Sequence, residues 1–149
     1  MSHPLREILL TYAVQFVNFF SARTPADFWR RYNRPVTQYM FENVFRPVGG
    51  ARAPVRSTLA AFFVSGVLHE YIADIALQEV QGFQLAFFMI HGAAVAATQR
   101  LQPRGRAAVV TGIAATILFN ITVSLLFCAT AAQMFDLYSG QAPAWMHAR

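Results

Sequence analysis

The sequence contains no lysine, a single cysteine and few charged residues of either sign. Charged residues make up 13% of the 149 positions, and hydrophobic residues make up 56%. A typical soluble domain carries about 25% charged residues. This shortage of charge argues against a soluble domain and predicts an integral membrane protein.

The single cysteine, Cys128, restricts the covalent and metal chemistry of the chain. One thiol cannot form an intrachain disulfide or a cysteine-based metal site, and Cys128 lies in an apolar run where packing is its expected role. His69 and Glu70 are neighbours, whereas helical zinc motifs place their ligands one turn apart. The sequence therefore predicts no bound metal.

The absence of lysine leaves arginine as the only basic residue type apart from histidine. There are twelve arginines, and the formal net charge is +5. They flank apolar segments and do not form a soluble basic face, which argues against binding of nucleic acid. Membrane lipids with anionic headgroups, or an anionic substrate carrier, are the better expected partners.

Four apolar segments are candidates for membrane helices, each of which needs roughly 20 mostly apolar residues. They are residues 8–22, 57–78, 83–99 and 107–135. The loops between them hold seven, no and three arginines in turn, and this alternation predicts termini that face away from the cytoplasm. The N-terminus lacks a signal-peptide pattern, so the first segment is expected to remain as an anchor. We expect an all-α, multi-pass membrane domain over residues 1–149, built as a bundle of about four transmembrane helices.

The segment 24–47 is too polar to cross the bilayer, but its aromatic and aliphatic residues recur at three- and four-residue spacing beside arginines. That pattern is typical of an amphipathic helix lying in the membrane interface. Thr24 is the expected cap, Pro25 fits the first turn, and Asp27 complements the helix dipole. Pro35 should bend or interrupt the helix. An amphipathic connector with aromatic anchors would give the same pattern.

Ionisable residues interrupt the second apolar segment at His69, Glu70 and Asp74. Such residues are costly at bilayer depth and call for a partner or a function. Ser65 and Gly66, one turn before His69, leave room near its ring. A helix-to-helix hydrogen bond would explain His69 as well as a function would.

Two further polar residues, His91 and Asn120, fall at a depth comparable to His69 in the next two apolar segments. The four spans could therefore converge on one polar pocket. Packing and hydrogen bonding between helices are the alternative for both residues.

Residues 28–36 (FWRRYNRPV) and 65–71 (SGVLHEY) together resemble two motifs of the membrane-bound O-acyltransferase family. The resemblance is to its branch of wax synthases, sterol acyltransferases and diacylglycerol acyltransferases. The first motif is an aromatic strip with Trp-Asn and a following Pro-Val, in which Tyr32 replaces the usual tryptophan. The second is a small-residue run that ends in His-Glu-Tyr. Residues 44–48 (VFRPV) also resemble the stretch after the strip in wax synthases.

This resemblance implies a membrane-bound enzyme that transfers a fatty acyl group from acyl-CoA to the hydroxyl of a long-chain alcohol, a sterol or a diacylglycerol. No bound cofactor is implied. His69 would be the catalytic general base, because imidazole titrates near neutral pH. Asn33 would be a second active-site group, as an oxyanion donor or as an orienter of the ring. The other expected substrate contacts are Trp29, Arg30, Arg31, Arg34 and Glu70.

The alternatives follow from size, because family members have many more spans and build much of the tunnel upstream of the strip. The chain could be a fragment, a subunit whose partner supplies the missing helices, or a degenerate remnant that serves as a non-catalytic membrane scaffold. A transporter or proton-path subunit is less favoured, because nothing resembles an inverted repeat and the arginine-rich aromatic strip would be left unexplained. It would use His69, Glu70, Asp74 and His91.

Overall fold

The structure is a computed structural model that describes residues 18–140, with side chains described from 18 to 135. All regular structure in this range is helical, which confirms the expected all-α class. The end of a helix covers residues 18–20. The elements that follow are α1 (Pro25–Arg31), α2 (Arg34–Met40), a π-helical turn (Phe41–Phe45), α3 (Arg46–Val48), a 3₁₀ turn (Gly50–Arg52), α4 (Pro54–Leu77), α5 (Phe83–Thr98) and α6 (Arg106–Gly140).

Two helices of the described chain, α4 and α6, are long and apolar enough to cross a membrane. Only 17% of the most apolar stretch of α4 and 11% of that of α6 are buried within the protein. Core helices of a soluble protein would be mostly buried, so these surfaces fit a lipid environment better. The helix α5 has 16 residues, a length of about 24 Å that is short of the roughly 30 Å hydrocarbon layer. The remaining expected span, residues 8–22, lies largely outside the described residues.

The helical segment expected over 24–47 is interrupted close to Pro35, as predicted. Its start is as predicted: the Thr24 hydroxyl accepts the Asp27 N–H at 3.1 Å, and Pro25 occupies the first turn of α1. The chain breaks before Pro35, at Asn33, whose φ of 41° and ψ of 61° are left-handed. Pro35 then lies in the first turn of α2, where a missing N–H is tolerated. Asparagine is one of the few residues other than glycine that adopts this conformation readily.

Close packing of α4 against α5 forms the centre of the described structure. A Cβ atom added at Gly66 would lie 2.9 Å from Leu85 Cδ1, and one added at Gly92 would lie 2.7 Å from Phe62 Cβ. Trp29 joins α1 to this pair, because its ring centroid lies 5.0 Å from that of Phe62. A small core of Phe87, Phe88 and Val123 is completed by Trp29, Phe62, Phe119 and Leu126.

The substitution Gly92→Ala should destabilise the α4–α5 pair. The new methyl would overlap Phe62, and such overpacking costs about 1–3 kcal/mol, more than the helix-propensity gain of up to about 1 kcal/mol. Thermal unfolding of the purified protein in detergent measures the change. The control is Ala93→Val at the neighbouring exposed position. Equal stability of Gly92→Ala and the wild type would contradict this packing.

Candidate active site

The His69 side chain is exposed, and one of its ring nitrogens is fixed by the helix that carries it. Nδ1 lies 2.8 Å from the carbonyl oxygen of Ser65. A carbonyl only accepts hydrogen bonds, so Nδ1 of the neutral ring carries the proton and Nε2 carries the lone pair. The ring packs on Phe88, with centroids 4.4 Å apart, and has Phe127 at 6.4 Å. The arrangement presents Nε2 as a proton acceptor.

Glu70 points away from the His69 ring and into α5. Its Oε1 accepts the Gly82 N–H at 2.6 Å, and its Oε2 accepts the Leu85 N–H at 2.8 Å. The residue is 8% exposed. Both carboxylate oxygens therefore accept a backbone N–H of this chain, and contact of Glu70 with a substrate stays a prediction.

Asn33 lies in a second, more polar region at the break between α1 and α2. It lines a cavity of about 530 Å³ together with Arg31 and Arg34. Arg31 is tied to Asp27 by bonds of 3.0 and 2.7 Å. Arg34 is exposed and has no partner among the described residues. A guanidinium left free in this way can meet an anionic group.

An apolar cavity of about 400 Å³ lies between the α1–α3 segment and the α4–α5 pair. Trp29 and Arg30 line it on the α1 side. On the α4–α5 side it reaches Ser65 and Phe88, which are two of the residues that contact the His69 ring. Sequence reasoning missed most of its walls, although their helical spacing was visible; they include Val36, Thr37, Met40, Phe41, Phe45 and Phe62.

The two residues expected to share the active site are not brought together in one described cavity. Asn33 lines the polar cavity, whereas His69 lines none of the three cavities found in the described part of the chain. Their shared role therefore remains a prediction.

His91 is enclosed in the core instead of joining His69 in a polar pocket. It is 1% exposed, and its Nδ1 donates to the Phe87 carbonyl at 3.0 Å. Its ring packs within 5.4 Å of Trp29 and 5.1 Å of Phe119. The Asn120 side chain lies near the ring, but its buried Oδ1 has no hydrogen-bond partner among the described residues. The packing alternative thus holds for His91, and a common polar pocket with His69 is not seen among the described residues.

Comparison with known proteins identifies the family. The family model described as MBOAT, membrane-bound O-acyltransferase family, matches residues 12–131, which is most of the chain. The chain belongs to the membrane-bound O-acyltransferase family. The matched region includes both motifs, residues 28–36 and 65–71.

Two relatives within the family indicate its branch. A probable long-chain-alcohol O-fatty-acyltransferase 1 of Arabidopsis thaliana is 32% identical over 129 residues, covering 74% of this chain and 36% of that protein. A probable sterol O-acyltransferase 2 of Schizosaccharomyces pombe is 34% identical over 63 residues, covering 42% of this chain and 13% of that protein. The chain thus spans about a third or less of the length of these relatives. No solved structure matches it.

The first helix of the family's aromatic strip is fixed by Asp27. Burial alone would raise the pKa of this carboxyl, but the Arg23 N–H and the Arg31 guanidinium outweigh it and lower the pKa below 3.8. A lowered folded-state pKa means that the stabilisation is present above about pH 4 and is lost as the pH falls through that lowered value.

Asp27→Asn should therefore lower the melting temperature at pH 7, and this deficit should shrink as the pH falls below about 4. The reason is that the wild-type carboxyl becomes neutral there too. Melting curves of both proteins across this range provide the measurement, with Glu79→Gln at an exposed position as the control. A deficit that stays constant with pH would show that the Asp27 charge is not involved.

Proposed function

We propose that this chain carries the acyl-transfer site of a wax-synthase-like O-acyltransferase, with acyl-CoA as the donor and a lipophilic alcohol as the acceptor. The observation that carries the proposal is the His69 ring, whose Nδ1 is anchored on Ser65 while Nε2 keeps its lone pair. Membership of the family and the functions that the names of the two relatives state support it.

The reaction would use His69 in both of its steps. Nε2 takes the proton of the acceptor hydroxyl as its oxygen attacks the thioester carbonyl, giving a tetrahedral intermediate with a negatively charged oxygen. We assign Asn33 as the donor to this oxyanion or as an orienting group. When the intermediate collapses, the carbon–sulfur bond breaks, the ester leaves, and the proton passes from His69 to the coenzyme A thiolate.

The apolar cavity is the proposed place for a hydrocarbon chain of one substrate. Its aromatic and aliphatic walls and its contact with Ser65 and Phe88 would bring a chain end close to His69. Trp29 would form one wall of the space that holds the hydrocarbon chain. The phosphates of acyl-CoA or of lipid headgroups would be bound by the arginines of the strip, Arg30, Arg31 and Arg34. We favour a long-chain alcohol over a sterol or a diacylglycerol as the acceptor, in line with the plant relative.

We also propose how the chain is arranged in the membrane, as a multi-pass bundle of about four spans that forms one domain over residues 1–149. The segment 24–47 would lie in the interface. Exposed apolar residues on α2 and the π-helical turn support this, among them Val36, Tyr39 and Phe41. A partner subunit that supplies further helices would close the exposed side of His69.

A non-catalytic scaffold is the second candidate. The observation that favours it is that Asn33 and His69 line no common cavity among those described. In such a protein the His69 bond to Ser65 would serve only to satisfy a polar group within α4.

His69→Gln should reduce transfer from acyl-CoA to a long-chain alcohol by about 10²- to 10⁴-fold, the usual contribution of a general base. The purified protein in detergent or nanodiscs is assayed for ester formation. The matched control is His91→Phe, which keeps an aromatic ring in the core and should retain turnover. Wild-type turnover that survives His69→Gln would refute the assignment, and absence of turnover in the wild type would favour the scaffold.

Asn33 needs a pair of variants, because its backbone conformation and its amide could each matter. Asn33→Gly keeps the left-handed φ of 41° available but removes the amide. If the amide serves the oxyanion, Asn33→Gly loses about 10²- to 10³-fold in kcat. Asn33→Ala should lose activity and also stability. Full activity of Asn33→Gly would show that Asn33 serves only to provide the left-handed backbone conformation between α1 and α2.

A further inference from the structure

Glu70 on α4 supplies the cap for the first turn of α5. The first N–H groups of a helix have no partners within the helix, and Gly82, which precedes α5, has no side chain to bind them. The Glu70 carboxylate accepts two of these groups, from Gly82 at 2.6 Å and from Leu85 at 2.8 Å. Its negative charge also interacts favourably with the positive, N-terminal end of the α5 dipole.

The turn of α5 that Glu70 holds lies directly before the residue that touches His69. Phe88 lies one turn after Leu85, and its ring centroid is 4.4 Å from that of His69. On the other side, a Cβ atom at Gly66 would lie 3.1 Å from Phe88 Cβ and 3.3 Å from Leu85 Cα. The backbone of α4 and the His69 ring therefore lie close to Phe88 on two sides. Movement of the first turn of α5 would change the contact between Phe88 and the His69 ring.

We propose that Glu70 is a positioning residue for His69, which acts by fixing the first turn of α5 and thereby keeping Phe88 against the imidazole. The inference rests on the proposed acyl transfer, in which His69 is the base. The bond from Nδ1 to Ser65 alone leaves the ring free to rock about that bond. Contact of Phe88 with the ring face removes this freedom, so that Nε2 points in one direction.

A direct role of Glu70 on a substrate fits the contacts less well. Its carboxylate is buried and bound to two backbone N–H groups. Adjacent residues on a helix point about 100° apart, so its side chain leaves α4 in a different direction from that of His69. Asp74 lies one turn later on α4, and among the described residues no arginine forms an ion pair with either acid.

The test compares Glu70→Ala and the nearly isosteric Glu70→Gln with the wild-type chain. Glu79→Gln is the control, at an exposed glutamate between the same two helices. Hydrogen exchange of the amides at 82–86 should be faster in Glu70→Ala, intermediate in Glu70→Gln and unchanged in the control. In the transfer assay kcat should fall about 10- to 100-fold, because small misplacement of a catalytic group has that effect. KM should stay within about twofold.

Three results would overturn the proposal. Unchanged exchange at 82–86 would show that Glu70 does not hold the first turn of α5. Faster exchange with unchanged kcat would leave Glu70 with a structural role alone. A rise in KM at constant kcat would make it a substrate contact.

Failure of the proposed function can be recognised separately. If the wild type shows no turnover, acyl transfer by this chain is refuted, and the position of the ring is then judged by NMR. The Phe88 ring current should displace the His69 imidazole proton resonances, and Glu70→Ala should move them towards their positions in Phe88→Leu. Resonances that do not move in Glu70→Ala would overturn the positioning role, whatever the activity.

Discussion

Two glycines, Gly66 on α4 and Gly92 on α5, allow these helices to approach until the side chains of one meet the backbone of the other. In hydrocarbon, helix pairs depend on such packing and on interhelical hydrogen bonds, because lipid is as apolar as the side chains. The pair has both, since the Glu70 carboxylate binds the first turn of α5. The apolar cavity uses this pair as a wall and the His69 ring rests on it, so their geometry depends on its packing.

The two histidines in apolar helices of the described chain make the same local bond, yet their surroundings suit them to different tasks. Each has Nδ1 at a carbonyl one turn earlier, that of Ser65 for His69 and that of Phe87 for His91. The bond satisfies one nitrogen and assigns the lone pair to the other. His91 is 1% exposed and shut in by aromatic rings, whereas His69 is open on one side. A base must reach its substrate. Exposure of the ring, and not its hydrogen bond, therefore makes His69 and not His91 the candidate base.

Features that depend on residues close together in the chain could be predicted from the sequence. Thr24 and Pro25 define the start of α1 through contacts within one turn, and the all-helical class and the two long apolar helices follow from composition over a window. An interruption at Pro35 was predicted too, but its position two residues earlier, at Asn33, was not, because proline has two local effects. It interrupts a helix from inside but is well placed in a first turn. Which of the two effects applies depends on the conformation of the residues on both sides of Pro35.

The contacts of Glu70 and the separation of His91 from His69 lay beyond sequence reasoning for a different reason. Depth in the membrane follows from counting residues, whereas the facing of side chains follows from how each helix is rotated by its neighbours. A rotation of about 100° per residue makes two adjacent side chains serve two surfaces. Glu70 therefore meets α5 while His69 remains at the open edge of α4. An acid next to an imidazole therefore need not bond to it: Glu70 binds the first turn of α5, and the His69 ring packs on Phe88 of the same helix.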